Sequence, residues 1–478
     1  MIPISEDEIQ EKLRFDNPWW ESGETEKRFS QLPRRSYFDP FFELLANRSL
    51  NRAVILMGPR RVGKTVLVYH AIEKLLGENI PRDQILYLSL ETPLYTGLTL
   101  ERVVSLFVDI HAHNRNSALY IFFDEIQYHK NWEVHLKSLV DSYPEYKFIA
   151  TGSAAAALKL KSQESGAGRF TDFLLPPLTF AEYLRFTEIE PKLIKKTGTE
   201  EAGYDYDTRN INELNLSFID YLNFGGYPEA VFSESVRSDA ARYIKSDIID
   251  KVLLRDLPAL YGISDIQELN KLFTTLAYNS AQEISLEQLS QGAGISKNTL
   301  KRYLEYLEAA FLIKIVHRVD DNAKKLKRAT TFKVYLTNPS MRAALFGPID
   351  MDSDAMGALT ETAIYAQWFH SSNIDKLHYA RWKGGEVDIV YVTSAEMIPG
   401  WCVEVKWSDL PYTDTRKLSG VLDFIENNHI DGSLVTTKTM AGTKIIRNRE
   451  IEYVPSALYA YCLGANIQAA KAERQFET

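Results

Sequence analysis

The most chemically informative residues form a glycine-bracketed loop, Gly58-Pro59-Arg60-Arg61-Val62-Gly63-Lys64-Thr65. The spacing G-x-x-x-x-G-K-T is that of loops whose backbone N–H groups, at the start of a helix, surround nucleotide phosphates. In such loops the lysine reaches the β- and γ-phosphates, and the threonine hydroxyl binds Mg²⁺. The sequence therefore predicts that residues 58–65 bind ATP or ADP, with Lys64 on the phosphates and Thr65 on the metal ion.

The segments on either side of this loop have the local structure that a phosphate-binding loop requires. Before it, Ala53–Met57 is a continuous apolar run typical of a buried strand. After it, Leu67, Ala71 and Leu75 recur at helical spacing. A chance match to the bare pattern is common, but the order strand, glycine loop, helix indicates a genuine nucleotide site.

A second pair of residues, Asp124-Glu125, supplies the carboxylates that such a site needs for hydrolysis. The pair follows a short apolar run, residues 119–123, which is typical of a central parallel strand. We expect Asp124 to hold Mg²⁺ through water and Glu125 to polarise the attacking water. The alternative is a pair that merely ends a strand and starts a turn, but the order and strand context of the two motifs favour ATP hydrolysis.

Two further polar residues follow the next predicted strand, residues 148–151. Ser153, in Thr151-Gly152-Ser153, could sense the γ-phosphate or the attacking water, or this segment could be a plain strand-to-loop turn. Arg169, after Gly166-Ala167-Gly168, could stabilise transition-state charge in its own chain or in a neighbouring subunit, or could be a surface arginine in a loop. The residues alone leave both alternatives open in each case.

The composition is typical of a folded protein with several domains. The chain has 478 residues, of which 45% are hydrophobic and 25% charged, and its net charge is −9. This acidity excludes a uniformly basic nucleic-acid coat, although not a local basic patch. Cys402 and Cys462 do not have the spacing of a zinc site, and two cysteines are too few for a disulfide framework. Because no signal-like core and no apolar run of roughly 20 residues is present, we expect a cytoplasmic protein that does not bind membranes.

The hydrophobic pattern predicts an α/β fold in five segments. Residues 1–50 form an N-terminal extension, and residues 51–185 alternate strands and helices, which predicts a P-loop NTPase parallel sheet with helices on both faces. We interpret residues 186–280 as a linker and helical lid. Residues 281–345 are predicted to be a winged helix, and residues 346–478 a further α/β domain.

The winged helix is predicted from two short helical patterns joined by a glycine-containing turn at residues 292–296. Ser296 is a good N-cap for the second helix, residues 298–307. Over residues 283–333, ten Lys/Arg stand against six Asp/Glu, and four of the cations are Lys324, Lys325, Lys327 and Arg328. This local positive charge suits contacts with DNA phosphates, whereas the alternative is a winged helix that contacts protein.

The C-terminal segment has its own set of charged residues on predicted helix and strand positions. Glu361 lies on a helix, Asp388 on an alternating strand, and Glu404 and Lys406 on one face of the next strand. This order, E…D…ExK, is the layout of the restriction-endonuclease-like fold. We expect Asp388, Glu404 and Glu361 to bind Mg²⁺, which lowers the pKa of a bound water, and Lys406 to orient that water or to neutralise developing charge. Both an active nuclease and a catalytically inactive domain remain open.

Taken in order, these motifs resemble a family of prokaryotic AAA-type ATPases with a C-terminal domain of unknown function. The resemblance covers residues from about 35 to 460 and rests on GPRRVGKT, FFDEIQ, TGSAAAAL, FGGYPEAV and GGEVDIVYV…CVEVKWS. It implies an ATPase core, a helical lid, a winged helix and a restriction-endonuclease-like C-terminal domain. The chain departs from the usual nuclease signature because no proline precedes Asp388.

Two functions of different classes follow from these patterns. In the first, an ATPase acts on DNA through the winged helix and the nuclease-like domain. In the second, ATP- and ADP-bound states expose or hide a surface for a protein partner, and the nuclease-like domain is inactive. Assembly into an oligomer is compatible with both.

Overall fold

The computed structural model describes residues 5–95, 97–152, 168–197, 206–321, 331–393 and 398–473 of the chain. The chain divides into two compact units. The first unit comprises Met1–Pro176 with Ala472–Thr478, and the second comprises Pro177–Lys471. The five segments predicted from the sequence are finer than this division and stay predictions.

The first unit is built on a five-stranded sheet in which every neighbouring pair is parallel. Its strands are β1 (Ala53–Met57), β2 (Ile85–Ser89), β3 (Tyr120–Asp124), β4 (Lys147–Gly152) and β5 (Phe170–Leu174). Their order across the sheet is β2-β3-β4-β1-β5. Because the carboxyl ends of parallel strands meet at one edge, the loop after β1 and the carboxylates after β3 reach the same edge.

Helices flank this sheet, which confirms the predicted α/β fold. They are α1 (Glu6–Asp16), α2 (Trp19–Ser22), α3 (Lys27–Ser30), α4 (Phe38–Ala46), α5 (Lys64–Gly77), α6 (Leu100–Ile110) and α7 (Trp132–Ser142). The N-terminal segment forms hydrogen bonds with strand β2 through buried side chains. Asn17 exchanges hydrogen bonds with the backbone of Tyr87, and the indoles of Trp19 and Trp20 donate to the Ile85 carbonyl.

The second unit begins with a helical region and one short hairpin. Its helices are α8 (Phe180–Phe186), α9 (Glu190–Leu193), α10 (Ile211–Phe224), α11 (Pro228–Phe232), α12 (Glu234–Ser238), α13 (Ala240–Tyr243), α14 (Leu257–Tyr261) and α15 (Ile266–Tyr278), and its hairpin is β6 (Ile194–Lys196) with β7 (Tyr206–Thr208). Asn210 caps α10 and Asp265 caps α15, each accepting a hydrogen bond from a backbone N–H of the first turn. Part of this region is the predicted helical lid, whose relation to the nucleotide stays a prediction.

The rest of the second unit is organised around a nine-stranded sheet of order β15-β16-β14-β13-β12-β11-β9-β10-β8. The strands are β8 (Glu283–Ser285), β9 (Ile313–Val319), β10 (Thr331–Leu336), β11 (Leu377–Trp382), β12 (Gly385–Val392), β13 (Pro399–Glu404), β14 (Gly432–Thr437), β15 (Gly442–Ile446) and β16 (Arg449–Pro455). The helices are α16 (Leu286–Ala293), α17 (Lys297–Ala309), α18 (Ser340–Phe346), α19 (Met356–Trp368), α20 (Leu410–Thr413), α21 (Ser419–Asn427) and α22 (Ser456–Glu473).

Apolar cores cover both faces of this large sheet. Successive residues of β12 point to opposite faces, as the period of a strand requires. Ile389 belongs to a core that includes Ile364 of α19, whereas Val390 belongs to another that includes Phe424 of α21. This packing fixes β12 between two layers, and β12 is the strand that carries Asp388. None of the helices in the described part of the chain combines the length and apolarity needed to cross a membrane.

Candidate functional site

The predicted phosphate-binding loop, residues 58–65, lies between β1 and α5, where backbone geometry requires its two glycines. A Cβ atom on Gly58 would lie 2.2 Å from the backbone oxygen of Leu175, so no larger residue fits there. Gly63 is the N-cap of α5 and has a φ of 94°, in the left-handed region that favours glycine. The two glycines therefore set the turn that aims the loop at the start of α5.

The charged side chains of the loop are held inside it or at its rim. Lys64 is 5% exposed, and its ammonium donates to the carbonyls of Gly58 (3.0 Å) and Pro59 (2.8 Å). The guanidinium of Arg60 donates to the Tyr128 hydroxyl at 3.0 Å. Arg61 is exposed and has a φ of 63°. The Lys64 ammonium is thus already enclosed by the loop that would receive phosphate.

A buried arginine outside the motif also holds the loop. Arg35 donates to the carbonyl of the buried Val62 at 2.8 Å and to that of Pro176 at 3.0 Å. Arg35 is 6% exposed, and its two hydrogen bonds join the loop to the segment after β5. This contact was not predicted, because nothing in the local pattern around Arg35 points to a partner 27 residues away.

The loop and the predicted carboxylate meet directly. The hydroxyl of Thr65, in the first turn of α5, donates to Asp124 Oδ2 at 2.9 Å. The Tyr87 hydroxyl donates to the same oxygen at 2.9 Å, and the Thr151 hydroxyl donates to Oδ1. Burial, and then the charge of Glu125, raises the pKa of the Asp124 carboxyl above its usual value, although these three hydroxyls oppose the rise.

Glu125 turns away from the strand direction immediately after Asp124. Its φ is 56°, its backbone N–H donates to Thr151 Oγ1 at 3.0 Å, and its carboxylate accepts a hydrogen bond from the Gln127 amide. Thr151 therefore contacts both members of the carboxylate pair. The register of β3 and β4, with Phe123 opposite Ala150, brings Asp124 and Thr151 side by side.

Of the other two candidates from the sequence, Arg169 is within the described residues and is not brought to the loop. Ser153 lies outside them, as do the basic residues Lys324, Lys325, Lys327 and Arg328. Arg169 immediately precedes β5, and its carbonyl accepts the N–H of Ala53, the first residue of β1. Arg169 therefore lies at the edge of the sheet opposite the loop, and its side chain pairs with Asp141. Action within its own chain is not supported by this position, and action on a neighbouring subunit stays a prediction.

The residue types around the loop fit a bound Mg²⁺ ion. Mg²⁺ prefers oxygen ligands, and in proteins it uses one or two side chains together with substrate phosphates and water. A hydroxyl and a carboxylate, Thr65 and Asp124, are in direct contact beside the enclosed Lys64 ammonium. These two side chains would hold the ion, and a bound nucleotide would supply phosphate oxygens.

A second cluster of charged groups lies in the C-terminal sheet of the second unit, where three of the predicted residues come together. The Lys406 ammonium lies 2.7 Å from Glu404 Oε1 and 3.3 Å from Asp388 Oδ2. Asp388 Oδ2 also accepts the backbone N–H of Val405 at 2.9 Å. The pairing of β12 with β13 thus brings Asp388 next to Glu404 and Lys406, and the three side chains form one ion-paired group.

Glu361 joins this cluster through a lysine that sequence reasoning missed. Lys333, on β10, lies 2.9 Å from Glu361 Oε1, 2.8 Å from Glu386 Oε1 and 3.3 Å from Asp388 Oδ1. The Tyr335 hydroxyl donates to Glu361 Oε1 at 2.6 Å. The only sequence signal was weak: Lys333 and Tyr335 alternate with apolar residues on one strand.

Burial and charge act against each other in this cluster. Burial raises the pKa of Glu361 to about 7 and that of Glu404 to about 8, and the Asp388 charge adds to both. The pKa of Asp388 is below its usual value although burial pushes it up, because the ammonium groups of Lys406 and Lys333 favour the ionised form. The pKa of Lys333 is raised although burial pushes it down, because the Glu361 carboxylate stabilises its charge.

The arrangement of this cluster does not fit a metal ion, although its residue types do. Within the described ranges, no group of three or more acidic, histidine or cysteine side chains is placed to hold a metal ion. The Lys333 ammonium contacts Glu361, Glu386 and Asp388. Glu404 Oε2 is buried and no donor among the described residues reaches it. The cluster holds an ammonium where the sequence predicted Mg²⁺.

Two family models match parts of the chain. Residues 50–184 match the model described as an AAA domain, and residues 215–352 match a domain of unknown function (DUF8612). The first match contains β1 to β5 and the whole phosphate-binding loop. It supports the predicted AAA-type, nucleotide-binding domain.

The chain is similar to curated relatives and to a solved structure, but these similarities do not indicate an activity for it. The uncharacterized protein MJ1544 of Methanocaldococcus jannaschii is 25% identical over 73% of this chain and 74% of its own length. An uncharacterized protein of Haemophilus influenzae is 24% identical over 66% of this chain and 74% of its own. The structure of C. elegans PCH-2 aligns with 41% of this chain and with less than two thirds, 58%, of that chain. Its identity of 15% and TM-score of 0.27 are too low to support a statement about fold or function.

Proposed function

We propose that this protein binds ATP with Mg²⁺ at residues 58–65 and hydrolyses it. The observation that carries the proposal is the 2.9 Å contact between the Thr65 hydroxyl and the Asp124 carboxylate. Thr65 lies on the helix that follows β1, and Asp124 ends β3. Because β4 lies between these two strands, the contact depends on the order of the strands in the sheet. Bound Mg²⁺ would neutralise charge on the phosphates, and Thr65 and Asp124 would hold it at the mouth of the loop.

The start of α5 supports phosphate binding. The helix is 14 residues long, its first turn contains no acidic residue, and Gly63 caps it without a side chain. The partial positive charge of its N-terminus is therefore directed at the loop. The Lys64 ammonium would exchange its bonds to the Gly58 and Pro59 carbonyls for bonds to phosphate oxygens.

Hydrolysis is assigned to Glu125. The residue follows the metal-binding carboxylate, and both its backbone and its side chain are held by hydrogen bonds. A carboxylate fixed in this way can orient water and accept its proton as the phosphoryl group leaves. Thr151 is a positioning residue, because its hydroxyl contacts Asp124 and Glu125 at once.

Nucleotide binding to the full chain tests this site directly. Titration calorimetry with ATP and Mg²⁺ should show one site per chain, and Lys64→Ala should weaken binding severely because it removes the phosphate-contacting charge. Lys74→Ala is a matched control, since Lys74 lies in the last turn of the same helix. Equal ATP affinity in wild type and Lys64→Ala would refute the assignment.

We further propose that the second unit binds DNA through a winged helix. The order α15-β8-α16-α17-β9-β10, with β8 and β9 both antiparallel to β10, is that of a winged helix-turn-helix. Helix α17 would be the recognition helix, and Lys297, Asn298, Lys301 and Arg302 on it are exposed. Three cations and an amide on one helix suit contacts with phosphates and base edges.

The order of the C-terminal elements supports a nuclease-like fold but gives no support for nuclease activity. The elements run in the order α19-β11-β12-β13-α21-β14, and the pairing of β12 with β13 places Asp388 and Glu404 on neighbouring strands, as the predicted E…D…ExK layout requires. The Lys333 ammonium among the carboxylates favours the second candidate function, in which this domain is inactive and the ATPase acts as a switch. Incubation with single-stranded, duplex and branched DNA in Mg²⁺ or Mn²⁺, with and without ATP, separates the two. Metal-dependent cleavage supports the enzyme, and absence of cleavage under every condition supports the switch with its inactive domain.

A further inference from the structure

Lys333 is the most deeply buried cation of the carboxylate cluster. Its side chain is 3% exposed, and its ammonium makes three ion pairs of 2.8 to 3.3 Å. A charged lysine is rarely buried to this degree unless carboxylates compensate for its lost hydration. The position of Lys333 therefore depends on the acidic residues around it.

The backbone of Lys333 is held on both sides. It lies within β10, opposite Val316 of β9 and opposite Glu283 of β8. Such a residue cannot leave the cluster by fraying of an edge strand. The ammonium therefore belongs to the protein interior and does not make a surface contact.

A divalent cation and the Lys333 ammonium would compete for the same oxygens. Mg²⁺ binds oxygen at about 2.1 Å, whereas the ammonium holds Glu361 and Asp388 at hydrogen-bonding distances. Lys333 would also repel a metal ion more strongly than Lys406 would, because its side chain is 3% exposed and that of Lys406 is 38% exposed, and the interior screens charge poorly. Lys333 and a metal ion therefore exclude each other.

The cluster nevertheless contains carboxylate oxygens of the kind that bind a divalent metal ion. Lys333 bonds to Glu361 and Asp388, and Lys406 bonds to Asp388 and Glu404, so adjacent carboxylates are linked through shared ammonium groups. Glu404 Oε2 is buried and has no donor among the described residues. Removal of the Lys333 charge would leave these carboxylates without one of their two cations.

We propose that the Lys333 ammonium takes the cation position of this cluster, so that the cluster binds a divalent metal ion only when Lys333 is removed from it. The proposal rests on the proposed nuclease-like scaffold, because it concerns the residues in which that scaffold would bind metal. It is independent of ATP binding, which uses residues of the first unit.

The test uses the full chain without nucleotide and Mn²⁺ as the probe. Titration followed by electron paramagnetic resonance counts bound Mn²⁺ in wild type and in Lys333→Met, which keeps the length of the side chain and removes its charge. We expect Lys333→Met to bind one additional Mn²⁺ per chain, at least about tenfold more tightly than wild type binds it at this position. The additional site should disappear in the double variant Lys333→Met with Asp388→Asn.

Lys314→Met is the matched control. Lys314 lies on the neighbouring strand β9, and its ion pairs among the described residues are with Glu308 and Asp375, which do not belong to the cluster. This variant should bind Mn²⁺ as wild type does. Thermal unfolding gives a second readout: Mn²⁺ should raise the melting temperature of Lys333→Met and not that of wild type, because a ligand that binds only the folded state stabilises it.

Each contrary outcome has its own meaning. Wild-type binding that is as tight as in Lys333→Met, and lost in Asp388→Asn, overturns the role of Lys333 but leaves a metal-binding nuclease-like site. Absence of the additional Mn²⁺ from Lys333→Met overturns both the proposal and the nuclease-like site. If Lys333→Met does not fold, Glu386→Gln replaces it: this change weakens the hold on Lys333, keeps Glu361, Asp388 and Glu404, and must increase Mn²⁺ affinity for the proposal to stand.

Discussion

The hydroxyl of Thr151, at the end of β4, donates a hydrogen bond to the buried carboxylate of Asp124, at the end of β3. The same hydroxyl accepts the backbone N–H of Glu125 at 3.0 Å. One side chain thus positions both the carboxylate proposed to bind Mg²⁺ and the residue proposed to activate water. The relationship depends on the parallel pairing of two strands that are separated in sequence by a helix.

Replacement of Thr151 should separate catalysis from binding. Thr151→Val keeps the shape of the side chain but removes the donor to Asp124 and the acceptor for Glu125. We expect kcat for ATP to fall at least about tenfold, with a smaller change in ATP affinity, because a misplaced carboxylate affects the transition state more than the ground state. Steady-state kinetics measure this, and Thr151→Ser should restore most of kcat. Wild-type kcat in Thr151→Val would remove Thr151 from the positioning role.

Gly58 should tolerate no side chain. In Gly58→Ala the new Cβ would overlap the Leu175 backbone oxygen at 2.2 Å, so the loop must shift. We expect ATP affinity to fall at least about tenfold, since the phosphate contacts come from the backbone of this loop. Gly77→Ala, at the other end of α5 where a Cβ meets nothing within 4 Å, is the control and should bind ATP normally. Normal ATP binding by Gly58→Ala would contradict the described loop geometry.

DNA affinity should depend on the exposed face of α17. Simultaneous replacement of Lys297, Lys301 and Arg302 by Ala should weaken duplex binding and lower the slope of log K against log salt by up to about three, because fewer counterions are released. Fluorescence anisotropy over a range of salt concentrations measures this. The triple variant Arg416→Ala, Lys417→Ala and Arg447→Ala has the same charge change on exposed residues elsewhere. Equal loss in both variants would indicate nonspecific electrostatics and not a recognition helix.

Lys147 should make stability depend on pH. Burial, with a smaller effect of Arg48, lowers the pKa of Lys147 to about 8 from 10.5. Between these values the unfolded chain binds a proton that the folded chain does not, so this lysine makes the free energy of unfolding rise with pH. In Lys147→Met this contribution is absent. From pH 7 to pH 9.5, the melting temperature of wild type should therefore rise relative to that of Lys147→Met. A difference between the two melting temperatures that stays constant over this range would contradict the assigned pKa.

The local features of the site were predictable from the sequence because they depend on neighbours along the chain. The apolar run before Gly58 and the helical spacing after Thr65 sufficed for strand β1 and helix α5. Ser296 was predicted as an N-cap, and its hydroxyl accepts the N–H of Thr299 at 3.2 Å. Such caps and runs are decided within a few residues.

The remaining features depend on which strands pair, and the sequence does not contain that information locally. Lys333 contacts residues of α19 and β12 only because β9 pairs with β11. This pairing joins β9 and β10 to the C-terminal strands in one sheet. Arg169 lies at the edge opposite the loop because β5 pairs in parallel with β1 from Ala53 onward. Thr151 and Tyr87 contact Asp124 from two different strands. Periodicity assigns each side chain to a face but does not identify its neighbour.

The most direct test of the proposed ATPase is a comparison of ATP binding and turnover in wild type and Glu125→Gln. The change keeps the shape of the side chain and removes the carboxylate that would accept a proton from water. Glu78→Gln, an exposed residue at the end of α5, is the control for the change of charge.

We expect Glu125→Gln to bind ATP with wild-type affinity and to hydrolyse it at least about 100-fold more slowly, the scale of a lost general base. The Glu78→Gln control should match wild type in both. Turnover of ATP by Glu125→Gln at the wild-type rate, or no Mg²⁺-dependent hydrolysis by wild type, would contradict the account.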